Sequence, residues 1–318
     1  MGEMSEIKGL AFDVQGFSIH DGPGCRTSVF LSGCPLHCEW CANPEGLLVR
    51  QRLMFSRQRC KQIKNNCTRC RDVCPHNAVT LTGDADFPVI FDRSICDGCS
   101  SFECTDACYY EAARLSGKWM SVSELMDIFR RDRQYWIEGG VTFTGGEPFA
   151  QYDFLVAILE ECRKENIHVA IETTAHVETT RFLSVMEQID FAFIDLKHMD
   201  SRMHKEKTRV ANELIKANIR ALKESSWKGR LILRMPVIAN YNDTEENINA
   251  TIQFMKDLDL FELNILPFHR MGVSKWEQLG MEYPYQDGIN TPGEVMEQIQ
   301  AAFLNESIAC YVGEEIYY

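Results

Sequence analysis

The sequence lacks several features that would each define a class of protein. No apolar run approaches the roughly 18 residues that cross a membrane, and the opening stretch MGEMSEIKGLAFDV contains Glu3 and Glu6 where a secretory signal would be apolar. An excess of positive charge is also absent, since the formal net charge is −13, which argues against general binding to nucleic acid or membrane surfaces. We therefore expect a cytoplasmic protein with neither nucleic acid nor membrane as a partner.

No low-complexity linker or fixed-period repeat divides the 318 residues. Strand signals occur at GLAFDV, TSVFLSG, GVTFTGG, HVAIETT, DFAFIDLK, RLILRMPVI, FELNILPF and SIACYVG. Amphipathic helical signals occur at SVSELMDIFRRDRQYW, QYDFLVAILEECRKEN, ETTRFLSVMEQI, NELIKANIRALKESS and TEENINATIQFMKDL. This alternation predicts an α/β fold with a parallel sheet, either open and doubly wound or closed into a barrel. Polar residues follow many of these strands, so we expect one shared site at their carboxyl ends.

Residues 55–112 interrupt the alternation. We predict that they form a small inserted domain, and that residues 1–54 and 113–318 form the α/β domain. Few apolar residues remain in this segment once its cysteines are set aside. We expect bound metal, rather than an apolar core, to hold it together.

Cysteine is the residue that the sequence has in excess. Twelve of the fourteen cysteines fall between Cys25 and Cys108. In a chain of this size with no secretory signal, such crowding indicates metal or redox chemistry rather than disulfides. The outlying thiols, Cys162 and Cys310, are better explained as structural. Cys25 is explained either as a packing residue or as a residue near the loop of a partner protein. We expect His20 and His37 to be surface or hydrogen-bonded residues rather than ligands.

The predicted insert contains two groups of four cysteines. The run CTRCRDVCP matches the last three cysteines of a bacterial ferredoxin half, in which the fourth cysteine ligates the other cluster. Eight thiolates fit two 4Fe-4S clusters, and crossing the fourth ligands gives two sets: Cys60, Cys67, Cys70 and Cys108 for one, and Cys96, Cys99, Cys104 and Cys74 for the other. All-cysteine zinc sites are the alternative, because thiolate ligands suit both metals.

The motif CPLHCEWC contributes only three thiols, from Cys34, Cys38 and Cys41. Three thiolates can hold three irons of a 4Fe-4S cube and leave the fourth iron open to a chelating amino and carboxylate pair. A zinc site that takes its fourth ligand from elsewhere is the alternative. The glycines of TGGEP allow the backbone to approach a ligand closely, and Glu147 could accept from an ammonium group.

These motifs resemble a known family along the whole chain. CxxxCxxC with an aromatic before the third cysteine resembles the radical S-adenosylmethionine (SAM) superfamily, and TGGEP resembles its GGEP motif. HDGPGCRT resembles the DGPGxRT signature of the glycyl-radical-enzyme activating enzymes, and the double ferredoxin segment resembles the same group. The resemblance implies a partial (β/α)6-type radical SAM barrel with a ferredoxin-like two-cluster insert, and as cofactors three 4Fe-4S clusters and S-adenosylmethionine.

The implied activity is that of an activating enzyme. It would cleave S-adenosylmethionine reductively to a 5′-deoxyadenosyl radical and abstract a hydrogen from a glycine in the loop of a glycyl radical enzyme. FDVQGFSIHDGPGCRT, FAFIDLKHMD and SKWEQLG favour a decarboxylase of 4-hydroxyphenylacetate as that partner. The alternatives are another arylacetate decarboxylase or a choline lyase as partner, a radical enzyme acting on RNA or a small molecule, and a non-enzymatic iron–sulfur electron carrier.

The resemblance also implies roles for individual residues. Cys34, Cys38 and Cys41 would hold the catalytic cluster. Glu147 would meet the methionyl end of the cofactor, Lys197 and Arg234 its carboxylate, and His269 its nucleoside. The full set of implied cofactor contacts is Trp40, Cys41, Ala42, Gly146, Glu147, Asp195, Leu196, Lys197, Arg234 and His269. A monovalent cation would lie at Glu172, Thr173 and Asp195, although for Glu172 and Arg234 a paired charge at a strand end is the alternative.

One basic stretch runs against the acidic net charge. From Arg57 to Arg71 the sequence has six Lys or Arg residues and no acid. A solvated charged face is the simple interpretation. The functional hypothesis is a docking patch for an acidic electron donor, of flavodoxin or ferredoxin type, because opposite charges steer encounter.

Overall fold

The computed structural model describes residues 6–316, so Glu3 and the outer ends of the predicted domain boundaries lie outside the described residues. Its strands are β1 (Lys8–Ser18), β2 (Arg26–Leu31), β3 (Leu53–Phe55), β4 (Val79–Leu81), β5 (Val89–Phe91), β6 (Ala113–Leu115), β7 (Lys118–Ser121), β8 (Gly140–Gly145), β9 (Val169–Thr173), β10 (Phe191–Asp195), β11 (Arg230–Val237), β12 (Glu262–Pro267) and β13 (Ala309–Val312). Within this range, no helix has the length and apolar character needed to cross a bilayer.

Twelve α-helices accompany these strands in the described chain. They are α1 (Gln62–Asn65), α2 (Arg69–Asp72), α3 (Arg93–Cys96), α4 (Glu103–Asp106), α5 (Val122–Asp132), α6 (Tyr152–Lys164), α7 (Thr179–Met186), α8 (Ser201–Thr208), α9 (Glu213–Glu224), α10 (Glu245–Asp257), α11 (Val273–Gln278) and α12 (Gly293–Asn305). All eight predicted strands and five predicted helices are present. The sequence interpretation missed β7, α8, α11 and α12, along with the short elements of the insert.

The main sheet has nine strands in the order β13-β12-β11-β10-β9-β8-β2-β1-β7. The run from β13 to β2 is parallel throughout. The prediction of a parallel sheet was wrong at one edge, because β1 runs antiparallel to both β2 and β7. A short connection explains this arrangement: residues 19–25 can return the chain only to an antiparallel neighbour, since a parallel crossover needs a dozen or more residues.

The two faces of the sheet have different environments. On its outer face, β10 buries Ala192 and Ile194 in the main core, together with helix residues such as Phe129, Leu155 and Ile219. Because side chains alternate along a strand, Phe191 and Phe193 point to the opposite, inner face. We call that helix-free surface the inner face, and its small apolar cluster, which we call the inner-face cluster, comprises Ala170, Phe191, Phe193 and Ile232.

The segment predicted to be an insert is flanked by β3 and β6, which pair antiparallel. Between them lie α1 to α4 and the β4–β5 ladder. The expectation that this segment lacks an apolar core was wrong. Leu53, Val79, Phe91 and Phe102 form a buried cluster that also includes cysteine side chains, because a thiol packs as a small hydrophobe.

Candidate active site

The three-cysteine motif lies in the loop that follows β2, at the carboxyl end of the parallel strands. Backbone hydrogen bonds fix both ends of this loop: Gly33 N donates to Gly46 O at 2.7 Å and Cys34 N to Leu47 O at 3.1 Å. The middle is fixed to the last turn of α8, because His37 N donates to the carbonyl of Thr208 at 2.8 Å. The loop is therefore shaped by its backbone, which leaves its thiols available as ligands.

All three thiols of the motif are in positions that disfavour a free thiolate. Burial raises the pKa of Cys38 to about 12 and also raises the pKa of Cys34, to which the charge of Glu147 adds. Burial raises the pKa of Cys41 as well. The positive charge of Lys197 acts in the opposite direction on Cys38 and Cys41. A cationic metal centre would favour the thiolates that this site disfavours, since metal ligands must be deprotonated.

The glycines of TGGEP bring a second loop against the cysteine loop. A Cβ atom on Gly146 would lie 2.4 Å from the carbonyl oxygen of Gly33 and 2.5 Å from that of Gly46. Gly145 has φ +122°, and a Cβ there would meet Leu31 N at 2.5 Å. Only residues without a side chain fit these two positions, which explains the motif through backbone contact alone.

Glu147 is buried and its carboxylate is saturated by protein donors. Thr173 Oγ1 and Phe149 N donate to Oε1 at 2.7 and 3.3 Å, and Thr174 donates to Oε2 from both its amide and its hydroxyl. Burial raises the pKa of this carboxyl group, while the threonine bonds lower it. A carboxylate accepts about four hydrogen bonds, so Glu147 ties the ends of β8 and β9 together and contacts a cofactor ammonium only by exchanging a donor.

Asp195 ends β10 and Lys197 follows two residues later, beside the cysteine loop. Lys197 Nζ lies 2.5 Å from Asp195 Oδ2. Burial lowers the pKa of Lys197, but the charges of Asp195, Cys38 and Cys34 outweigh burial and raise it overall. The backbone here is also fixed, since Asn242 Nδ2 donates to Lys197 O at 2.8 Å. Leu196 between them is buried in the main core, and its amide donates to Arg234 O, so its side chain does not face the cysteines.

Glu172 and Arg234 form an ion pair on the inner face, with 2.5 Å between Oε1 and Nη1. Thr144 Oγ1 donates to the other oxygen of Glu172 at 2.7 Å, and Arg234 Nε donates to Asn264 Oδ1 at 3.0 Å. The guanidinium carbon lies 3.5 Å from the ring centroid of Phe193. Burial raises the pKa of Glu172 and the charge of Arg234 opposes that shift. In this structure, Glu172 and Arg234 are therefore paired with each other, as the alternative interpretation of these two residues expects.

Helix α11 supports the cysteine loop from the other side, a role that sequence reasoning missed. Trp276 Nε1 donates to Cys41 O at 2.8 Å, and Lys275 Nζ lies 2.6 Å from Glu45 Oε1. A Cβ atom on Gly272 would meet the Cα of Ala42 at 3.0 Å. The stretch SKWEQLG was used only for its resemblance, although a tryptophan and a lysine together on a short polar helix could have indicated a support.

Two further residues with implied cofactor contacts, Trp40 and His269, differ in their exposure to solvent. Trp40 is buried, with its ring centroid 5.1 Å from that of Tyr241 and 6.1 Å from that of Tyr285. His269 is exposed, and its Nδ1 accepts from Met271 N at 3.3 Å. Trp40 thus forms part of the wall behind the cysteine loop, and His269 lies at the surface.

The insert contains two cavities, each lined by four cysteines. One cavity is lined by Cys74, Cys96, Cys99 and Cys104, and the other by Cys60, Cys67, Cys70 and Cys108. Burial raises the pKa of Cys104 to about 12, and the charges of Cys96 and of Cys70 from the other cavity add to the shift. Within residues 6–316, no three His, Cys, Asp or Glu side chains lie close enough together to chelate a single metal ion.

Residues 19–25, which connect β1 to β2 and which we call the DGPG loop, fold against the inner face. The side chain of Arg26 holds this loop in place. This fully buried side chain donates from Nε to Thr142 Oγ1 at 2.7 Å and from Nη1 to Pro23 O at 2.8 Å. Asp21 accepts from Ser28 Oγ through its carboxylate and from Thr142 Oγ1 through its carbonyl. The arginine of the signature is therefore a structural residue that fixes the loop.

The remaining thiols and histidines fit the structural expectation. Cys162 and Cys310 are buried in the main core, and burial raises the pKa of each to about 12. Cys25 is half-buried in the loop before β2, next to Gly139. His37 is exposed, and His20 pairs with Glu314 at 3.3 Å.

Comparison with known proteins agrees with this geometry. Residues 95–254 match the family model of the Radical SAM superfamily, and residues 20–87 match that of a 4Fe-4S single cluster domain. The 4-hydroxyphenylacetate decarboxylase activating enzyme of Clostridioides difficile (strain CD196) is 51% identical over 316 residues, which covers 99% of each chain. The indoleacetate decarboxylase activating enzyme of Tractidigestivibacter scatoligenes is 39% identical, covering 88% of this chain and 90% of that one.

A solved structure shows a similar fold. The radical SAM methyltransferase from Sphaerobacter thermophilus matches with a TM-score of 0.53 and 15% sequence identity, covering 92% of this chain and 68% of that one. At this identity the match indicates a shared α/β architecture with a mixed sheet and nothing about the substrate.

Proposed function

Because this chain belongs to the radical SAM superfamily and to its glycyl-radical-enzyme activating enzymes, we propose that it installs a glycyl radical on a decarboxylase of 4-hydroxyphenylacetate. The observation that carries the proposal is the loop of Cys34, Cys38 and Cys41, held beside Lys197 at the carboxyl ends of parallel strands. The relative named for 4-hydroxyphenylacetate shares more of the sequence than the one named for indoleacetate. Another arylacetate decarboxylase or a choline lyase remains the alternative partner.

The cysteine loop would hold the catalytic 4Fe-4S cluster. Three buried thiols with raised pKa values fit a cationic centre that favours their ionised form. When bound together, the reduced cluster and S-adenosylmethionine supply a 5′-deoxyadenosyl radical, which is the chemistry of the cofactors rather than of the side chains. The protein's contribution is to shape the loop through Gly33, Gly146 and Trp276 and to exclude water from it.

S-adenosylmethionine would bind between the cysteine loop, the polar residues at the carboxyl ends of β8 and β10, and Arg234 within β11. Lys197 is the first choice for the cofactor carboxylate, because its ammonium group already faces the cysteine loop. Arg234 would join it through Nη2, since its bonds to Glu172 and Asn264 use Nη1 and Nε. Glu147 would meet the cofactor ammonium by giving up one of the protein donors that its carboxylate now accepts. Trp40, Ala42, Leu196 and His269 stay predicted contacts.

The proposed monovalent cation has weaker support. Glu172 is paired with Arg234, the hydroxyl of Thr173 donates to Glu147, and Asp195 is paired with Lys197. A cation at these residues would have to share oxygen atoms that already serve other partners. Binding would therefore accompany a shift of Asp195 towards the cation, with the cofactor carboxylate taking its place on Lys197.

The two cysteine-lined cavities support a ferredoxin-like insert of residues 55–112 with two 4Fe-4S clusters, and so three clusters in all. The barrel-forming domain would comprise residues 1–54 and 113–318. Of the basic residues between Arg57 and Arg71, the arginines Arg57, Arg59 and Arg71 have acidic partners. Lys61 and Arg69 line the cavity of Cys60, so we place the docking of a flavodoxin or ferredoxin-type donor there. A reducing cytoplasm suits fourteen free cysteines.

The proposed function can be tested by anaerobic incubation of the reconstituted protein with dithionite, S-adenosylmethionine and 4-hydroxyphenylacetate decarboxylase. We expect a glycyl radical signal on the decarboxylase by electron paramagnetic resonance. The variant Cys38→Ala should give none, whereas Cys162→Ala, which removes a buried thiol far from the loop, should retain the signal. A signal with an indoleacetate decarboxylase alone would favour the alternative partner, and no signal with either would refute the proposal.

A further inference from the structure

The segment that follows β13 turns back over the inner face of the sheet. Gly313 makes the turn with φ +60°, and its amide and carbonyl bond to β12, with Gly313 N donating to Ile265 O at 2.8 Å and Asn264 Nδ2 donating to Gly313 O at 2.9 Å. The next turn is closed by Glu315 N, which donates to Val312 O at 3.2 Å. We call residues 313–316 the strap.

The strap contacts the inner face through one apolar side chain and the DGPG loop through one polar side chain. Ile316 is half-buried against the inner-face cluster of Ala170, Phe191, Phe193 and Ile232. Glu314 Oε2 lies 3.3 Å from His20 Nε2. The strap therefore spans from the last strand of the sheet to the DGPG loop.

Residues on the inner face of β10 lead from the cluster beneath the strap to the cysteine loop. Phe193 lies under the guanidinium group of Arg234, and two residues further along β10, on the same face, Asp195 pairs with Lys197. Along β10, the inner face runs from the inner-face cluster, against which Ile316 packs, to Asp195 beside the cysteine loop. Phe193 and Phe191 lie two and four residues before Asp195, about 7 and about 13 Å along the strand, so the strap lies on the same face as the candidate active site, towards the amino ends of the strands.

The DGPG loop bounds the same space from the other side. A Cβ atom on Gly22 would lie 3.3 Å from the Cβ of Ala170, which belongs to the inner-face cluster. The charge of Asp21 acts on Glu172 and raises its pKa. The loop and the strap contact each other through His20 and Glu314, and both lie against residues of the inner face.

We propose that the strap occupies the place of the partner's glycine loop, and that the inner-face cluster is a subsite for an apolar side chain of that loop. This inference rests on the proposed function, because a glycine Cα of the partner must reach the cofactor along the inner face. Ile316 shows what the subsite accepts: an aliphatic side chain on an irregular peptide segment that also carries a carboxylate within reach of His20. Until a partner arrives, the strap shields the site from water and stray hydrogen donors.

A competing strap has a definite kinetic consequence. If it covers the subsite in ~90% of molecules, the apparent affinity for the partner is ~10-fold weaker than that of the open form. Deleting residues 313–318 should therefore lower the KM for the decarboxylase by roughly tenfold and leave kcat of glycyl radical formation nearly unchanged. An unchanged or higher KM in the deleted protein would overturn the proposal.

Point variants separate loss of the strap from loss of folding. Ile316→Ser and Glu314→Gln should lower KM in the same direction as the deletion. Ile289→Ser and Glu315→Gln change an isoleucine that is 76% exposed and the exposed neighbouring glutamate, and KM should stay at the wild-type value. Equal effects of all four variants on KM would refute a specific strap.

A binding test distinguishes failure of this inference from failure of the proposed function. A fluorescently labelled peptide GEEIYY is titrated to ~1 mM, the effective concentration that a short tether supplies, against the deleted and the full-length protein. Fluorescence anisotropy should show binding to the deleted protein and little to the full-length protein, whose own strap competes. Equal or absent binding to both would overturn the strap, whichever partner accepts the radical.

Discussion

The ammonium group of Lys197 lies 2.5 Å from the carboxylate of Asp195 while its charge also acts on the thiol of Cys38. The strand β10 ends at Asp195, and the turn that follows brings Lys197 back beside it. The lysine is buried, and burial alone would lower its pKa, but its acidic neighbours raise it. A charged lysine is therefore held at the cysteine loop, where an incoming carboxylate can replace Asp195 as its partner.

The variant Lys197→Met should weaken binding of S-adenosylmethionine by roughly 10- to 100-fold, because a hydrogen bond to a charged group contributes about 1.5–3 kcal/mol. Equilibrium binding to the reconstituted protein measures this Kd. The matched control is Lys207→Met, which removes a lysine paired with Glu39 of the same loop at 2.9 Å. Equal losses of affinity in both variants would show that Lys197 acts only through the shape of the loop.

The bond between Trp276 Nε1 and Cys41 O predicts how α11 stabilises the catalytic loop. Trp276→Phe keeps an aromatic ring and removes a hydrogen bond that contributes about 1 kcal/mol, so the loop should open roughly fivefold more often. A chelator should then abolish the cofactor-dependent change in the electron paramagnetic resonance spectrum about five times faster.

Trp227 provides the control, because its Nε1 donates to Ile189 O at 2.7 Å, just before the amino end of β10 rather than at the cysteine loop. Trp227→Phe should leave the chelation rate at the wild-type value. If the two tryptophan variants lose the spectroscopic signal at the same rate, α11 is not a specific support of Cys41.

The strands and longer helices were predictable because their signals are local. The apolar alternation of β10 and the helical spacing in α6 follow from each segment's own burial, and the turn residues of DLK and TGGEP mark the strand ends. A parallel sheet brings the loops at the carboxyl ends of neighbouring strands together. The proximity of the cysteine loop, after β2, to the TGGEP loop, after β8, could therefore be predicted. The crossed sets of cysteines predicted from the ferredoxin pattern have the same members as the two cavity linings.

The rest depends on contacts between distant segments. The stretch SKWEQLG contains no local signal that the indole of Trp276 will donate to the carbonyl of Cys41, which lies more than two hundred positions earlier. Saturation of Glu147 needs Thr173 and Thr174 from the next strand. Helix α8 was missed because its sequence SRMHKEKT is almost wholly polar and gives no amphipathic signal. It stabilises the fold through its backbone carbonyls, which accept hydrogen bonds from amides of the cysteine loop.

The buried His204 of α8 predicts an acid sensitivity of that helix. Burial lowers its pKa to about 4, and its Nδ1 bonds to Val210 O at 2.7 Å. Because an exposed histidine titrates near 6.5, the opened helix takes up the proton first as the pH falls. The stabilising contribution of neutral His204 is therefore complete above about pH 6.5 and is lost as the pH falls from there towards 4.

Between pH 7.5 and 5.5, protection of α8 from hydrogen exchange should fall by about tenfold, or about 1.4 kcal/mol, after correction for intrinsic exchange rates. Mass spectrometry of peptides covering residues 201–208 measures this protection. Peptides from α9, which contains no histidine, provide the internal control. The variant His204→Asn should remove the pH dependence from α8, and its persistence in that variant would assign the effect to another group.

The pairing of insert cysteines predicts an iron count that depends on which two thiols are removed together. Under the crossed arrangement, Cys74 and Cys96 line one cavity, whereas Cys67 and Cys74 belong to different cavities. Cys74→Ala with Cys96→Ala should therefore cost about four irons per chain, and Cys67→Ala with Cys74→Ala about eight, from a starting value of about twelve. An uncrossed arrangement predicts the opposite order, because each sequence group would then hold its own cluster.

Iron quantification with Mössbauer spectroscopy measures the difference, and Cys162→Ala with Cys310→Ala should retain all the iron because those thiols are buried in the main core.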